Sequence, residues 1–100
     1  MTTLLLVFRD QGPCWIPGVP TRQQPLWDEH AAFIDGLVAQ GRIVMAGPYA
    51  DYSRALLIMN ARDANEIAAL LRDDPWTTGG ILVTGEVIEW TVYLDSRARA

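Results

Sequence analysis

Lysine is absent from this chain of 100 residues. All eight basic residues are arginines, scattered at Arg9, Arg22, Arg42, Arg54, Arg62, Arg72, Arg97 and Arg99, and they face twelve Asp and Glu for a formal charge of −4. With no basic stripe and an excess of negative charge, such a chain repels phosphate backbones, so no nucleic acid is expected as a partner. Cysteine is nearly absent too: Cys14 stands alone and can form neither an internal disulfide nor a cysteine metal cluster. Histidine occurs once, at His30, and a lone histidine without a His-x-x-x-His or Glu-x-x-His pair does not build a common zinc site. No Gly-rich phosphate loop follows the first strand. Neither a metal nor a cofactor is therefore expected. No apolar run approaches the ~18 residues of a membrane span, and Met1-Thr2-Thr3 lacks the basic head of a secretion signal. The expectation is a cytoplasmic protein with no membrane partner.

What is present is apolar character in half of all residues, enough for one core and one domain spanning residues 1–100. The run Leu4 to Phe8 reads as a buried strand that stops at Arg9-Asp10-Gln11-Gly12-Pro13. Pro13, Pro17, Gly18 and Pro20 make residues 10–24 a stiff loop, and loops of this length are often lids or binding loops. Pro25 suits a first helical turn, and Leu26, His30, Phe33, Ile34, Leu37 and Val38 recur at helical spacing, so a first helix is expected over 25–40. Ile43 to Ala46 and Arg54 to Met59 read as a hairpin around a wide loop. Asp63 and Glu66 have capping-box spacing for a second helix that ends near Asp73 or Asp74, because Pro75 blocks its continuation. Ile81 to Leu94 supplies the last strand, with Gly85 a candidate bulge.

The order βαββαβ predicts an α+β, ferredoxin-like sandwich: a four-stranded antiparallel sheet with two helices on one face. Both middle strands are apolar at successive positions, so both sides of the pleat seek cover. A second copy of the chain, packed sheet to sheet, is the expected partner.

This topology brings the hairpin loop, the proline-rich loop, the start of the first helix and the end of the second to one rim. His30 shares the apolar stripe of the first helix near its positive end. Asp74, four residues after Leu70 and seven after Ile67, is expected inside the second helix at its negative end. Each would then occupy the helix end whose dipole disfavours its charged form unless the two meet. If they meet, the carboxylate holds one ring nitrogen, leaves the other free, and makes a general acid/base pair. The competing reading is a half-buried histidine bonded to a loop carbonyl and a plain helix stop at Asp74-Pro75. Trp15, Trp76, Tyr49 and Asp51 are candidate walls for a flat ligand, although core packing is the more frequent use of tryptophan and hairpin tips are usually solvated. No basic neighbour in sequence activates Cys14 as a nucleophile.

Three segments carry a family resemblance: Trp27-Asp28-Glu29-His30-Ala31-Ala32-Phe33, Val44-Met45-Ala46-Gly47-Pro48 and Asp74-Pro75-Trp76-Thr77-Thr78-Gly79-Gly80, with Glu89-Trp90 at the end. Together they resemble the YciI-like (YCII-related) family of dimeric α+β barrel proteins. The resemblance implies a ferredoxin-like protomer, a sheet-to-sheet homodimer and a site on a histidine and an aspartate, which carry over to His30 and Asp74. It also implies metal-free elimination, isomerisation or oxygenation of small cyclic or aromatic compounds. Many relatives place an arginine one turn before the histidine, where this chain has Leu26 and Trp27, and the first loop is longer than usual. The function these features favour is a cofactor-free lyase or isomerase using a His-Asp dyad. The alternatives are a non-catalytic small-molecule-binding module and a structural homodimer.

Overall fold

The computed structural model describes residues 2–98. Four strands, β1 (Thr2–Gln11), β2 (Ile43–Pro48), β3 (Arg54–Met59) and β4 (Leu82–Val92), form one sheet in the order β2-β3-β1-β4 with every pair antiparallel. Helices α1 (Trp27–Ala39) and α2 (Ala64–Leu71) connect them, and a one-turn helix α3 (Pro75–Thr78) precedes β4. This is an α+β, ferredoxin-like architecture.

Strand alternation sets the core. Leu5 and Val7 on β1 and Leu57 and Met59 on β3 point to one face and are buried with Ile43, Leu37 of α1, and Ile67 and Leu71 of α2. The next residue on that side of β1 is Arg9. β1 does not stop at Phe8: it runs on to Gln11, because Arg9 and Asp10 pair with Ala55 and Arg54 on one side and Thr84 and Val83 on the other. The register of β1 against β4 slips by one residue between Val7 and Arg9, a bulge that sets Gly85 and Glu86 opposite Phe8. Any side chain at Gly85 would strike the Asp10 carboxylate.

Helix boundaries follow from the caps. α2 starts where the spacing places it, with the Asp63 carboxylate accepting the Glu66 N–H at 2.9 Å. Glu66 reaches back to the Arg62 N–H at 3.1 Å, so it closes the turn one residue earlier than a strict capping box. The C-terminal end differs from expectation. α2 finishes at Leu71, three residues of turn and coil follow, and Pro75 opens α3 as its first residue. α1 likewise begins at Trp27 rather than Pro25, because Leu26 adopts a left-handed conformation with φ 63° and breaks the helix before it. The carbonyl of Pro25 is thereby freed for the Trp76 indole N–H, which it receives at 2.7 Å.

The loop after β1 is folded rather than open. Buried Gln24 accepts the Ile16 N–H at 2.9 Å and donates to the carbonyls of Ile16 and Val19, both at 2.8 Å. This one side chain adds three bonds to a proline-rich stretch whose own backbone bonds are short-range turns. No helix among the described residues is long and apolar enough to cross a membrane.

Candidate functional site

His30 lies in the first turn of α1, and its backbone N–H is bonded to the Leu26 carbonyl at 2.9 Å. Its ring reaches Asp74: Nδ1 is 2.8 Å from Oδ1 and 3.0 Å from Oδ2. An ionised carboxylate only accepts, so Nδ1 carries the proton and the neutral ring keeps its lone pair on Nε2. Among the described residues no group bonds Nε2.

Asp74 occupies a different place from the one its spacing suggests. It is the N-cap of α3, not the last inner residue of α2, and its Oδ1 accepts the Trp76 N–H at 3.0 Å. The helix end it meets therefore favours its charge instead of opposing it. Its side chain is fully buried, and Arg9 approaches Oδ2 with Nη1 at 3.5 Å. Arg9 is 1% exposed and its Nη2 donates to Thr77 Oγ1 at 2.8 Å. Burial pushes the guanidinium below its ordinary value while Asp74 pulls it back up, and an arginine so placed stays charged.

Aromatic rings hold the imidazole. Trp76, buried, stacks on His30 with centroids 3.9 Å apart and planes 6° from parallel, and Trp27 leans on both rings. A cavity of about 580 Å3 opens beside them, within the range of roughly 300–1,000 Å3 usual for small-molecule sites. Its apolar wall is Trp27, Ile34, Ala55, Leu57 and Trp76; Ala46, Gly47 and Pro48 at the end of β2 form another side. Pro20, Thr21 and Arg22 of the loop, Tyr52 of the hairpin, and Arg9 complete the lining with His30.

Of the six candidate residues, the structure joins His30, Asp74 and Trp76 in one constellation and places the other three outside the cavity lining. Trp15 packs edge-on against Trp76 at 5.9 Å, as a second layer behind the wall. Tyr49 borders a shallow hollow with Met45, Leu56 and Ile58, because the hairpin turn carries it away from the helices. Asp51 serves the turn itself: it accepts the Ser53 Oγ and N–H at 2.6 and 3.0 Å, bonds that hold its carboxyl below its ordinary range. Tyr52, left-handed at φ 60°, takes the place in the lining expected of these two. Arg9 and Arg22 had no sequence signal as strong as a motif. A trace existed for Arg9, which continues the buried row Leu5, Val7 and puts a charge where the pattern asks for an aliphatic residue. No group of three or more metal-capable side chains occurs among the described residues.

Compared with known families, residues 3–91 match the model of the YCII-related domain. The chain belongs to the YCII-related family. Among solved structures, this YCII-related chain is similar to the 5-chloro-2-hydroxyhydroquinone dehydrochlorinase (TftG) from Burkholderia phenoliruptrix AC1100, in complex with 2,5-dihydroxybenzoquinone. The superposition has a TM-score of 0.57 and 24% identity, covering 87% of this chain and 93% of the other, a likeness of fold. Among curated proteins, none matches.

Proposed function

We propose that this protein is an enzyme of lyase or isomerase type that moves a proton on a small cyclic or aromatic compound, with His30 as the acid/base group and Asp74 orienting it. One observation carries the reading. Asp74 engages Nδ1 and, among the described residues, leaves the Nε2 lone pair of a cavity-lining ring unbonded. In the proposed step, Nε2 takes a proton from a ring O–H or an activated C–H. The electron pair left behind enters the ring and either expels a leaving group or accepts the proton back at another carbon. Asp74 offsets the imidazolium that forms, and positioned proton transfer of this kind contributes roughly 10²–10⁴-fold.

The fold relative is named as acting on a chlorinated hydroxyhydroquinone, so loss of HCl from such rings is the first reaction to assay. The proton would pass to His30, and chloride would leave with its bonding pair. Chloride release and quinone absorbance report turnover. His30→Gln, which keeps the ring's approximate volume, should lower kcat about 100-fold or more while circular dichroism stays unchanged. A wild-type rate in that variant would remove His30 from the chemistry.

We also propose that the outer sheet face pairs with a second copy. Alternation directs Leu6, Phe8, Leu56 and Ile58 away from the helices. Ile88, Trp90 and Met45, on the flanking strands, are 42%, 42% and 53% exposed. An apolar row this continuous is the signature of an interface. Sedimentation of the wild type should report two chains, and Ile88→Asp, charging the middle of the row, should yield one. A wild-type mass of one chain at micromolar concentration would refute the pairing.

A further inference from the structure

The cavity is positive in a negative protein. Acidic residues outnumber arginines twelve to eight along the chain, yet the lining side chains that can carry positive charge are Arg9, Arg22 and His30. Among the described residues no Asp or Glu lines it. Asp74, which holds the His30 ring, is fully buried and is already shared by that ring, the Trp76 N–H and Arg9.

Arg22 differs from the other arginines among the described residues. Arg42, Arg54, Arg62, Arg72 and Arg97 each face a carboxylate within the range of an ion pair. Arg22 faces none among the described residues, and it is exposed at the cavity. Arg9 is deep, and its carboxylate partner among the described residues stands at 3.5 Å, longer than the ~2.7–2.9 Å of a close charge-assisted bond. Its Nε is buried with no hydrogen-bond partner among the described residues. A charged donor set of this kind, under-satisfied beside a cavity, is matched by a ligand that brings negative charge.

We infer that the compound bound in this cavity is an anion: a ring bearing an ionised acidic oxygen, as phenolate, enolate or carboxylate, with Arg22 meeting that oxygen and Arg9 supplying fixed positive charge behind it. The inference rests on the cavity being the substrate site, and not on which reaction follows there. The charges then close. Arg9 and Asp74 offset each other, and the bound anion offsets Arg22; the proton that passes to His30 leaves the ring one charge more negative beside the imidazolium, so the sum is unchanged.

Calorimetry with two quinones of similar outline tests this. The hydroxyls of 2,5-dihydroxybenzoquinone are vinylogous acids and are ionised at neutral pH, whereas 2,5-dimethoxybenzoquinone is neutral. The wild type should bind the ionised compound at least about tenfold more tightly. Arg22→Ala, at an exposed position that tolerates truncation, should lose most of that preference, and added salt should erode it in the wild type. Arg9→Met provides a second, buried probe. Equal binding of the two quinones, binding of neither at millimolar concentration, or a preference that survives in both arginine variants would overturn the inference. His30→Gln separates it from the proposed reaction: that variant should keep the anion preference whether or not turnover is lost. Loss of the preference there would assign anion recognition to the imidazole and overturn the role of the arginines.

Discussion

Asp74→Asn isolates the buried charge that organises the site. Asparagine keeps the shape and the Oδ1 acceptor for the Trp76 N–H, so the start of α3 is preserved. What disappears is the negative charge beside Arg9, a side chain 1% exposed. Removing one partner of a buried ion pair costs about 3–5 kcal/mol, because the survivor is left uncompensated. The 3.5 Å separation and the retained Thr77 bond at 2.8 Å place the expected loss at the lower end, ~3 kcal/mol. For a domain of this size that is a large share of a total of about 5–15 kcal/mol, and it should lower Tm by roughly 12–24 °C. The assay is a double-mutant cycle by urea melting, with wild type, Asp74→Asn, Arg9→Met and the double variant at one protein concentration. With Arg9 already replaced, the aspartate substitution strands no charge, and a coupling of ~2 kcal/mol should appear. Additive losses, within about 0.5 kcal/mol, would refute the pairing and with it the charge balance drawn for the site.

Two further outcomes probe the scaffold. Gln24→Ala removes the acceptor for the Ile16 N–H and the donor to Ile16 and Val19; it should cost ~1–3 kcal/mol and strip hydrogen-exchange protection from the Ile16 amide, and unchanged protection would show that the loop is closed by other means. Glu66 is held below its ordinary range, first by the Arg62 backbone N–H and then by the charges of Arg62 and Arg42. A carboxylate depressed in the folded state stabilises fully above its unfolded pKa, and that contribution is lost as pH falls through the folded value. Glu66→Gln should therefore flatten the decline of the urea midpoint between about pH 6 and about pH 3, and parallel curves for the two proteins would contradict the assignment.

Much of the frame was legible in local pattern. The 3.6-residue stripe through His30, Phe33, Ile34 and Leu37 located α1, the Asp63–Glu66 spacing located the start of α2, and Gly85 marked a bulge that register confirms. Each of these depends on neighbours a few residues apart. Boundaries were less legible. The left-handed turn at Leu26 and the helix that Pro75 begins depend on Trp76, whose indole must reach the Pro25 carbonyl across 51 positions of sequence. Pro75 signalled the end of α2; nothing local said that Asp74 would cap a new helix.

The family motifs and the one histidine pointed to His30 and Asp74, but no spacing rule specifies a contact between residues 44 positions apart. That contact, the Arg9 side chain behind it, the exclusion of Trp15, Tyr49 and Asp51 from the lining, and the entry of Tyr52 and Arg22 were decided by packing. Periodicity assigns a side chain to a face of its own element. Which other face it meets, and at what depth, is set only when sheet, helices and loop bury one another.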